Sequence, residues 1–215
     1  NGVSSGPVKA LVITGGAAPS AAAAQPWLRN RRLIIAADSG LETARAYGVR
    51  ASIVVGDFDS LDDESLLDGY PDAAVRRFGS AKDDTDTEIA LSVAFEEGAS
   101  DVALLGGGGG RLDHLLAIAS IFARERYPSV WVTASSEVRA VVDELVVTGR
   151  PGDLVSFFPL GREACRMEST GLRWSLDGLR WGPGDVGVSN ELVSTEVRVR
   201  MKEGRLLMVR PLRSQ

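Results

Sequence analysis

Residues 52–60, Ser-Ile-Val-Val-Gly-Asp-Phe-Asp-Ser, join an apolar run to two carboxylates. The run at 52–55 predicts a buried strand, because it is short, continuous and mostly β-branched. Asp57 and Asp59 are two positions apart, so in an extended stretch both side chains would point to the same side. Neighbouring carboxylates repel each other unless a proton or a cation lies between them. The stretch therefore predicts a strand that ends at a candidate cation site.

The segments on either side of this stretch alternate between strand and helix patterns. Apolar runs predict further strands, and segments with helical periodicity separate them. Strands of this composition, alternating with helices, are typical of a mostly parallel α/β sheet. We expect strands at residues 9–14, 33–37, 52–55, 74–78, 101–105 and 129–133, and helices at 41–48, 85–98 and 111–126. The last of these helices would have one apolar face, formed by Leu112, Leu115, Leu116, Ala119, Phe122 and Ala123.

The pattern changes at about Glu144. Short strand runs follow one another there, turn signals such as Pro151-Gly152 divide them, and no long helical period remains. This part predicts an antiparallel β-sandwich or barrel. We therefore expect an N-terminal α/β domain over residues 1–142 and a β domain over residues 143–215. The predicted β-domain strands are at 145–147, 154–158, 186–188, 196–200 and 205–209.

Composition restricts the function classes open to this chain. Its 215 residues carry a formal net charge of −5, which gives no support to a nucleic-acid partner. The single cysteine, Cys165, rules out an intramolecular disulfide and fits a reducing, cytoplasmic location. The single histidine, His114, excludes zinc sites that need a histidine pair. Carboxylates must therefore carry most of the chemistry.

Residues 10–28 carry no charged side chain, yet they do not predict a membrane span. Gly15-Gly16, Pro19 and Pro26 interrupt the run and would break an apolar helix. The sequence begins at Asn1 without the positively charged segment of a secretory signal. We therefore expect no membrane partner.

A second acidic stretch, residues 82–88, opens a predicted helix. Thr85-Asp86-Thr87-Glu88 has the form of a capping box ahead of an apolar run, with the threonine as the cap. Asp83, Asp84 and Asp86 could serve only to meet the helix dipole, and Asp86 could also face a cation. Lys82 beside them is a point charge suited to a phosphate.

Five consecutive glycines, Gly106 to Gly110, follow one predicted strand. Glycines there would let backbone amides approach phosphate groups, and the next helix start would add positive potential. A plain turn is the alternative, although five glycines would loosen the fold without an evident structural gain. Arg111 is placed to bind a phosphate, and Asp113 to join the acidic groups.

These motifs share one position in the expected sheet. Asp38, Asp57, the second acidic stretch and the glycine run all follow predicted strands, and ligands of parallel sheets bind beyond the carboxyl ends. Magnesium takes carboxylate oxygens and bridges to substrate phosphates. The sequence thus predicts one magnesium site for a polyphosphate substrate. A sugar-nucleotide transferase could use an Asp-x-Asp pair too, but it leaves the other two motifs unexplained.

Two features of the β domain could contact a ligand. Trp174 and Trp181 could stack on an aromatic ring, but core packing is the default role for each. Ser189-Asn190 lies in a turn-like spot, where hydrogen bonds to the backbone are the default.

Taken in order, these motifs resemble those of the thiamine pyrophosphokinase family. The resemblance spans roughly residues 10–210, and several ordered motifs together are more specific than any one. The segments that carry it are Ala37-Asp38-Ser39-Gly40, Gly56-Asp57-Phe58-Asp59-Ser60, Lys82-Asp83-Asp84-Thr85-Asp86, Gly110-Arg111-Leu112-Asp113-His114, Thr170-Gly171-Leu172-Arg173-Trp174 and Ser189-Asn190-Glu191.

The resemblance implies an enzyme that transfers pyrophosphate from ATP to the hydroxyl of thiamine, with magnesium as the metal. It also implies an α/β catalytic domain, a C-terminal β-sandwich, and a homodimer with thiamine bound across the subunit interface. By matched position, the magnesium ligands would be Asp57, Asp59 and Asp86. The catalytic acids would be Asp38, Asp57, Asp86 and Asp113. The ATP-binding residues would be Lys82, Asp83, Thr85, Gly109, Gly110 and Arg111. The thiamine-binding residues would be Asp38, Ser189 and Asn190.

Two other functions fit the same residues. A hydroxymethylpterin diphosphokinase would use the same acidic groups on a different alcohol. A nucleotide or thiamine sensor would bind these ligands without releasing AMP.

Overall fold

The computed structural model describes residues 7–56, 67, 69–78 and 84–212. The chain divides into two compact units, with the division between Ser135 and Ser136. The sequence analysis put the domain boundary after residue 142. The difference is one strand, Ser136–Val141, which pairs along its whole length with the last strand of the second unit.

In the first unit, the described strands form a parallel sheet. Its order is β4-β3-β2-β1-β5-β6, and every paired neighbour runs parallel. This confirms the predicted α/β class. The strands are β1 (Val8–Ile13), β2 (Leu33–Ala37), β3 (Ile53–Gly56), β4 (Ala74–Arg77), β5 (Ala99–Leu105) and β6 (Val130–Val132). The described helices are α1 (Ala21–Leu28), α2 (Gly40–Ala46), α3 (Asp86–Glu96) and α4 (Leu112–Ile121).

The core of this unit lies between the central strands and α3. Strands β1 and β2 bury continuous apolar runs, as expected for a parallel sheet covered by helices. Helix α3 buries Ala90, Leu91, Val93 and Ala94, and it contacts β1, β2, β3 and β5. The capping box predicted at Thr85 is confirmed, so α3 begins where its sequence indicates.

Helix α1 was not predicted, because its sequence contains Pro26. The helix ends two residues later at Leu28, so the proline interrupts only its last turn. The Ser20 hydroxyl caps its first turn by accepting from the backbone N–H of Ala23. Within the described ranges, no helix combines the length and apolar character needed to cross a membrane.

Helix α4 is shorter than expected and buries a different face. It ends at Ile121 rather than at residue 126, and Phe122 forms its C-cap. Leu112 and Leu116, expected on the apolar face, are exposed, whereas Ile118 and Ile121 are buried. The buried face is set by the preceding glycine loop, which packs against the Ile118 side chain.

The second unit is a β-sandwich. One antiparallel sheet has the order β12-β9-β14-β7 and the other the order β11-β10-β13-β8. Both contribute to one apolar core, for example Phe157 and Met208 from the first and Val197 and Val199 from the second. The strands are β7 (Ser136–Val141), β8 (Glu144–Thr148), β9 (Leu154–Leu160), β10 (Cys165–Thr170), β11 (Arg180–Trp181), β12 (Gly187–Glu191), β13 (Glu196–Glu203) and β14 (Arg205–Pro211).

Candidate active site

The loops that follow β1 and β5 are hydrogen-bonded to each other. The backbone N–H of Gly107 donates to the carbonyl of Gly15 at 2.7 Å, and that of Ala17 donates to the carbonyl of Gly108 at 2.6 Å. The Trp131 indole N–H donates to the carbonyl of Gly106 at 2.8 Å. The glycine run is therefore fixed at the carboxyl end of the sheet.

The glycines of this loop are needed because there is no room for side chains. A Cβ at Gly106 would lie 2.3 Å from the carbonyl oxygen of Thr14, and one at Gly107 would lie 2.4 Å from Cδ1 of Ile118. Both glycines have positive φ, 104° and 70°. The expectation that the run brings no structural gain is wrong. At Gly110, no atom of the described residues lies within 4 Å of the position that a Cβ would take.

Asp38 lies at the end of β2, next to the end of β3. Its backbone N–H donates to the carbonyl of Val55 at 2.7 Å, and its φ is 49°, which is uncommon for a non-glycine residue. Gly40 allows α2 to start against β1, since a Cβ there would lie 2.2 Å from the carbonyl oxygen of Ile13. A Cβ at Gly56 would lie 3.4 Å from Cα of Asp38. The predicted acidic stretch thus starts beside Asp38.

The start of α3 is joined to the same edge through a buried hydroxyl pair. Thr14, which follows β1, and Thr87, in the first turn of α3, are hydrogen-bonded through their Oγ1 atoms at 2.7 Å. The Glu88 carboxylate accepts from the backbone N–H of Thr85 at 2.9 Å and is paired with Arg124. These contacts fix the first turn that carries Asp86. Sequence reasoning missed the threonine pair, because the two residues are 73 positions apart.

The pKa of Glu88 lies below its usual range. Burial raises that pKa, but hydrogen bonds from Thr85 and the charge of Arg124 outweigh it. The carboxylate that completes the cap is therefore ionised at neutral pH, as the capping box requires.

Arg111 and Asp113 form an exposed ion pair at the start of α4. The Arg111 Nε donates to Oδ1 of Asp113 at 2.9 Å, and its Nη2 donates to Oδ2 at 2.6 Å. The hydrogen bond from Arg111 holds the pKa of the Asp113 carboxyl well below its usual range. The two predicted residues are thus brought together, and each satisfies the other in this structure.

Of the thirteen predicted site residues, seven lie in the loops or helix starts at this edge: Asp38, Thr85, Asp86, Gly109, Gly110, Arg111 and Asp113. Ser189 and Asn190 lie in the second unit. Within the described part of the chain, no group of three or more His, Cys, Asp or Glu residues could hold a metal ion. The carboxylates of Asp38 and Asp86 fit a hard cation by their chemistry. A full set of metal ligands would also need Asp57 and Asp59, which lie between Asp38 and Asp86 in the sequence. Of the predicted site residues, Asp57, Asp59, Lys82 and Asp83 lie outside the described residues.

In the second unit, residues 171–174 run beside residues 190–193. The backbone N–H of Val193 donates to the carbonyl of Gly171 at 2.8 Å, and that of Arg173 donates to the carbonyl of Glu191 at 2.8 Å. The sequence-distant motifs around Trp174 and Asn190 are therefore neighbours. The Trp174 side chain is 56% exposed, so core packing is the wrong role for it.

Trp181 and Ser189 occupy different positions around this pair of segments. Trp181 is partly buried and packs against the sandwich core, as predicted. Ser189 is exposed, lies in β12 rather than in a turn, and has a φ of 59°. Its backbone N–H donates to the Ser156 hydroxyl at 3.0 Å.

Comparisons with known proteins match both units. The family model described as "Thiamin pyrophosphokinase, catalytic domain" matches residues 24–133. The model described as "Thiamin pyrophosphokinase, vitamin B1 binding domain" matches residues 144–206. The chain belongs to the thiamine pyrophosphokinase family. This confirms the family and the transferase function that the ordered motifs predicted.

Relatives of known name and structure agree with this family. The chain is 24% identical over 193 residues to the thiamine pyrophosphokinase of Bacillus subtilis, covering 83% of this chain and 86% of that protein. A crystal structure of the Bacillus subtilis protein superposes with a TM-score of 0.82 at 22% identity, covering 96% of this chain and all of the other. One from Geobacillus thermodenitrificans gives a TM-score of 0.79 at 26% identity, covering 97% and 99%.

The two family domains divide the candidate site residues between them. Asp38, Asp86, Arg111 and Asp113 fall within the match to the thiamine pyrophosphokinase catalytic domain. Trp174, Ser189 and Asn190 fall within the match to the vitamin B1 binding domain. The exposed Trp174 therefore lies within the match to the vitamin B1 binding domain.

Proposed function

We propose that this chain transfers the pyrophosphoryl group of ATP to the hydroxyl of thiamine, giving thiamine diphosphate and AMP. One observation carries the proposal: at the carboxyl edge of the parallel sheet, the glycine loop and the first turn of α3 are both hydrogen-bonded to the segment after β1, and Asp38 follows the neighbouring strand β2. Ligands of such sheets bind at this edge. The match to a vitamin B1 binding domain supports thiamine over a pterin as the acceptor.

The glycine loop would hold the ATP phosphates. Gly109 and Gly110 have positive φ and lead into α4, whose N-terminus adds positive potential. Arg111 would contact phosphate, exchanging part of its pairing with Asp113 for the ligand. Lys82, Asp83 and Thr85 are proposed neighbours of the nucleotide, and the Thr85 hydroxyl also has its capping role.

Magnesium would be held by Asp86 together with Asp57 and Asp59. When bound, it would offset the negative charge of the ATP phosphates. Asp86 suits this role because it lies on a helix turn whose neighbours, Thr85, Thr87 and Glu88, are each fixed by a hydrogen bond. A ligand on a fixed backbone loses little conformational freedom when the site fills.

The chain's own carboxylates would manage the proton of the thiamine hydroxyl as it attacks the β-phosphorus. Asp113 is a weak base in this structure, since its hydrogen bond from Arg111 keeps its pKa low. Asp38 is the better candidate to accept or orient the proton, because it lies half-buried at the centre of the edge. Transfers of this kind depend mainly on positioning and electrostatics.

Thiamine would contact the β-sandwich, with the exposed Trp174 indole as its aromatic surface and Ser189 nearby. We also propose a homodimer with thiamine at the subunit interface. The second unit exposes Leu154, Val186 and Val188, which a partner subunit could bury. Light scattering on the purified protein should give twice the chain mass; a fully active monomer would contradict this assembly. Cytoplasmic location stays a prediction.

The decisive experiment is incubation with ATP, magnesium and thiamine, followed by separation of the products. Thiamine diphosphate and AMP should appear in equal amounts, and neither should form without the metal. Hydroxymethylpterin in place of thiamine tests the other diphosphokinase. Ligand binding without AMP release would identify a sensor and would overturn the proposal.

A further inference from the structure

Asn190 is buried although it is polar, and its side chain makes three hydrogen bonds to backbone groups. Its exposed fraction is 5%. Oδ1 accepts from the backbone N–H of Trp174 at 3.2 Å and from that of Glu191 at 2.8 Å. Nδ2 donates to the carbonyl of Trp174 at 2.7 Å. Both ends of the amide are thus used inside the chain, two of the bonds going to one residue.

These bonds continue the pairing of residues 171–174 with residues 190–193. Backbone groups join Gly171 to Val193 and Arg173 to Glu191, and Leu172 pairs with Leu192. At Trp174 the Asn190 side chain provides both the acceptor and the donor. Without this side chain, the backbone N–H and the carbonyl of Trp174 would both lose the hydrogen-bond partner that Asn190 provides.

The backbone before Asn190 is shaped to turn this side chain inward. The pairing of β12 with β9 shifts register between Gly187 and Asn190. Ser189, inside that irregularity, has a φ of 59°, a left-handed conformation that is unfavourable for a non-glycine residue. Such strain persists where the surrounding structure over-determines it.

The Trp174 indole ring also contacts a charged side chain, the guanidinium of Arg173. Its ring lies 5.6 Å from Cζ of Arg173, a cation–π distance, and Arg173 is paired with Glu191 at 2.7 Å. The indole is nevertheless 56% exposed. An aromatic side chain fixed at both its backbone and its ring, yet open to solvent, is preorganised for a flat ligand.

We propose that Asn190 is a positioning residue that acts through Trp174, fixing the indole against which the aromatic substrate stacks, and that its side chain does not itself contact the substrate. This inference rests on the proposed function, since it takes thiamine as the ligand of the indole. It differs from the assignment of Asn190 as a thiamine contact, because the side chain is only 5% exposed and its Oδ1 and one of its two Nδ2 hydrogens already bond to backbone groups.

A double-mutant cycle separates the two roles. Trp174→Ala should raise the KM for thiamine about 10-fold, the range expected for loss of one aromatic stacking contact. Asn190→Ala should raise it by a similar factor, with kcat and the KM for ATP changed less than about 2-fold. The double variant should be no worse than Trp174→Ala alone, since residues that act as a unit are not additive. Multiplied losses would overturn the proposal, because they would indicate a direct contact.

A spectroscopic measurement on the free protein tests positioning without thiamine. The chain has four tryptophans, and the indole N–H signal of Trp174 can be assigned with Trp174→Phe. In Asn190→Ala that signal should shift or broaden, whereas the other three should stay. Unchanged Trp174 signals would overturn the proposal.

Val199→Ala serves as the matched control. It removes part of a fully buried side chain from β13, whose paired strands are β8 and β10. It should lower the melting temperature without raising the KM for thiamine. If the unmodified protein makes no thiamine diphosphate, the proposed function fails, while the indole signal still decides the positioning role.

Discussion

The candidate binding region of the first unit is held together mainly by backbone contacts, whereas that of the second unit is held together mainly by side-chain contacts. At the sheet edge of the first unit, backbone hydrogen bonds hold the loops together, and glycines such as Gly106 and Gly107 allow the backbones to approach closely. In the second unit, side chains do that work, as the Asn190 amide does for Trp174. A region fixed by its backbone should be intolerant of added atoms but tolerant of polar exchanges. A region fixed by side chains should show the reverse.

The largest expected effect comes from adding one carbon to the backbone-built region. Gly106→Ala should lower the free energy of unfolding by about 3–5 kcal/mol, since the new Cβ meets the Thr14 carbonyl at 2.3 Å and φ is positive. Gly110→Ala is the control, because no atom in the described part of the chain lies within 4 Å of its Cβ position, and it should cost about 1 kcal/mol. Urea unfolding measures both. Equal losses would remove the distinction between packed and open positions.

A polar exchange in the same region should affect catalysis and leave the fold intact. Asp86→Asn should lower kcat about 100-fold or more, because the proposed magnesium site would lose one charged ligand. The melting temperature should change little. Asp84→Asn, an exposed acid two residues earlier, is the control and should keep most activity. Turnover of Asp86→Asn equal to that of the control would exclude Asp86 from the site.

Side-chain charges should dominate the pH response of the second unit. Glu137 is 3% exposed and bonded to Arg139 at 2.6 Å and to Arg210 at 2.6 Å. Burial raises the pKa of Glu137, but the two arginines outweigh it and leave the pKa lowered from 4.5. The cluster therefore stabilises the fold above the unfolded pKa, and that contribution is lost as the pH falls through the folded pKa.

Glu137→Gln tests this cluster. At pH 7 it should cost about 2 kcal/mol, less than for a fully buried pair, because both arginines stay partly exposed. The difference from the unmodified protein should narrow as the pH falls below the unfolded value of 4.5. Urea unfolding at several pH values measures it. A difference that stays constant from neutral to acid pH would contradict the ionised cluster.

The smallest expected effect tests whether the α3 cap serves folding or ATP. Thr85→Ala should cost about 1 kcal/mol of stability, through loss of the capping hydroxyl. Ser20→Ala at the start of α1 removes a similar cap and should cost a similar amount. The free energy of unfolding and the KM for ATP should be measured for both variants. If only Thr85→Ala raises the KM for ATP, Thr85 has the second role proposed for it.

Local signals predicted the first unit well. The capping box at Thr85 was found because its four residues are adjacent, and the strands because their apolar runs are continuous. Helix α1 was missed because Pro26 reads as a breaker, although its place in the last turn makes it harmless. The exposed face of α4 was missed because the glycine loop that selects the buried face is set by tertiary contacts.

Contacts between distant segments account for what the sequence did not show in the site. Nothing local marks Thr14 and Thr87 as partners, and nothing local shows that Asn190 reaches Trp174, 16 residues away. The glycine run was interpreted as a phosphate loop or a plain turn, and its packing role was missed, because the crowding of Gly106 against Thr14 and of Gly107 against Ile118 appears only in the folded chain. Motifs therefore predicted which residues matter better than what each one does.

Gly110, whose Cβ position is uncrowded among the described residues, offers a site for a probe of the proposed nucleotide binding. The chain's only thiol, Cys165, is buried, so Gly110→Cys would give a single accessible attachment point for a thiol-reactive dye. A dye there would sit where the crowded stretch ends and helix α4 begins. If the glycine loop binds ATP as proposed, the dye emission would report when the triphosphate enters and when AMP departs, in real time and without a radioactive label.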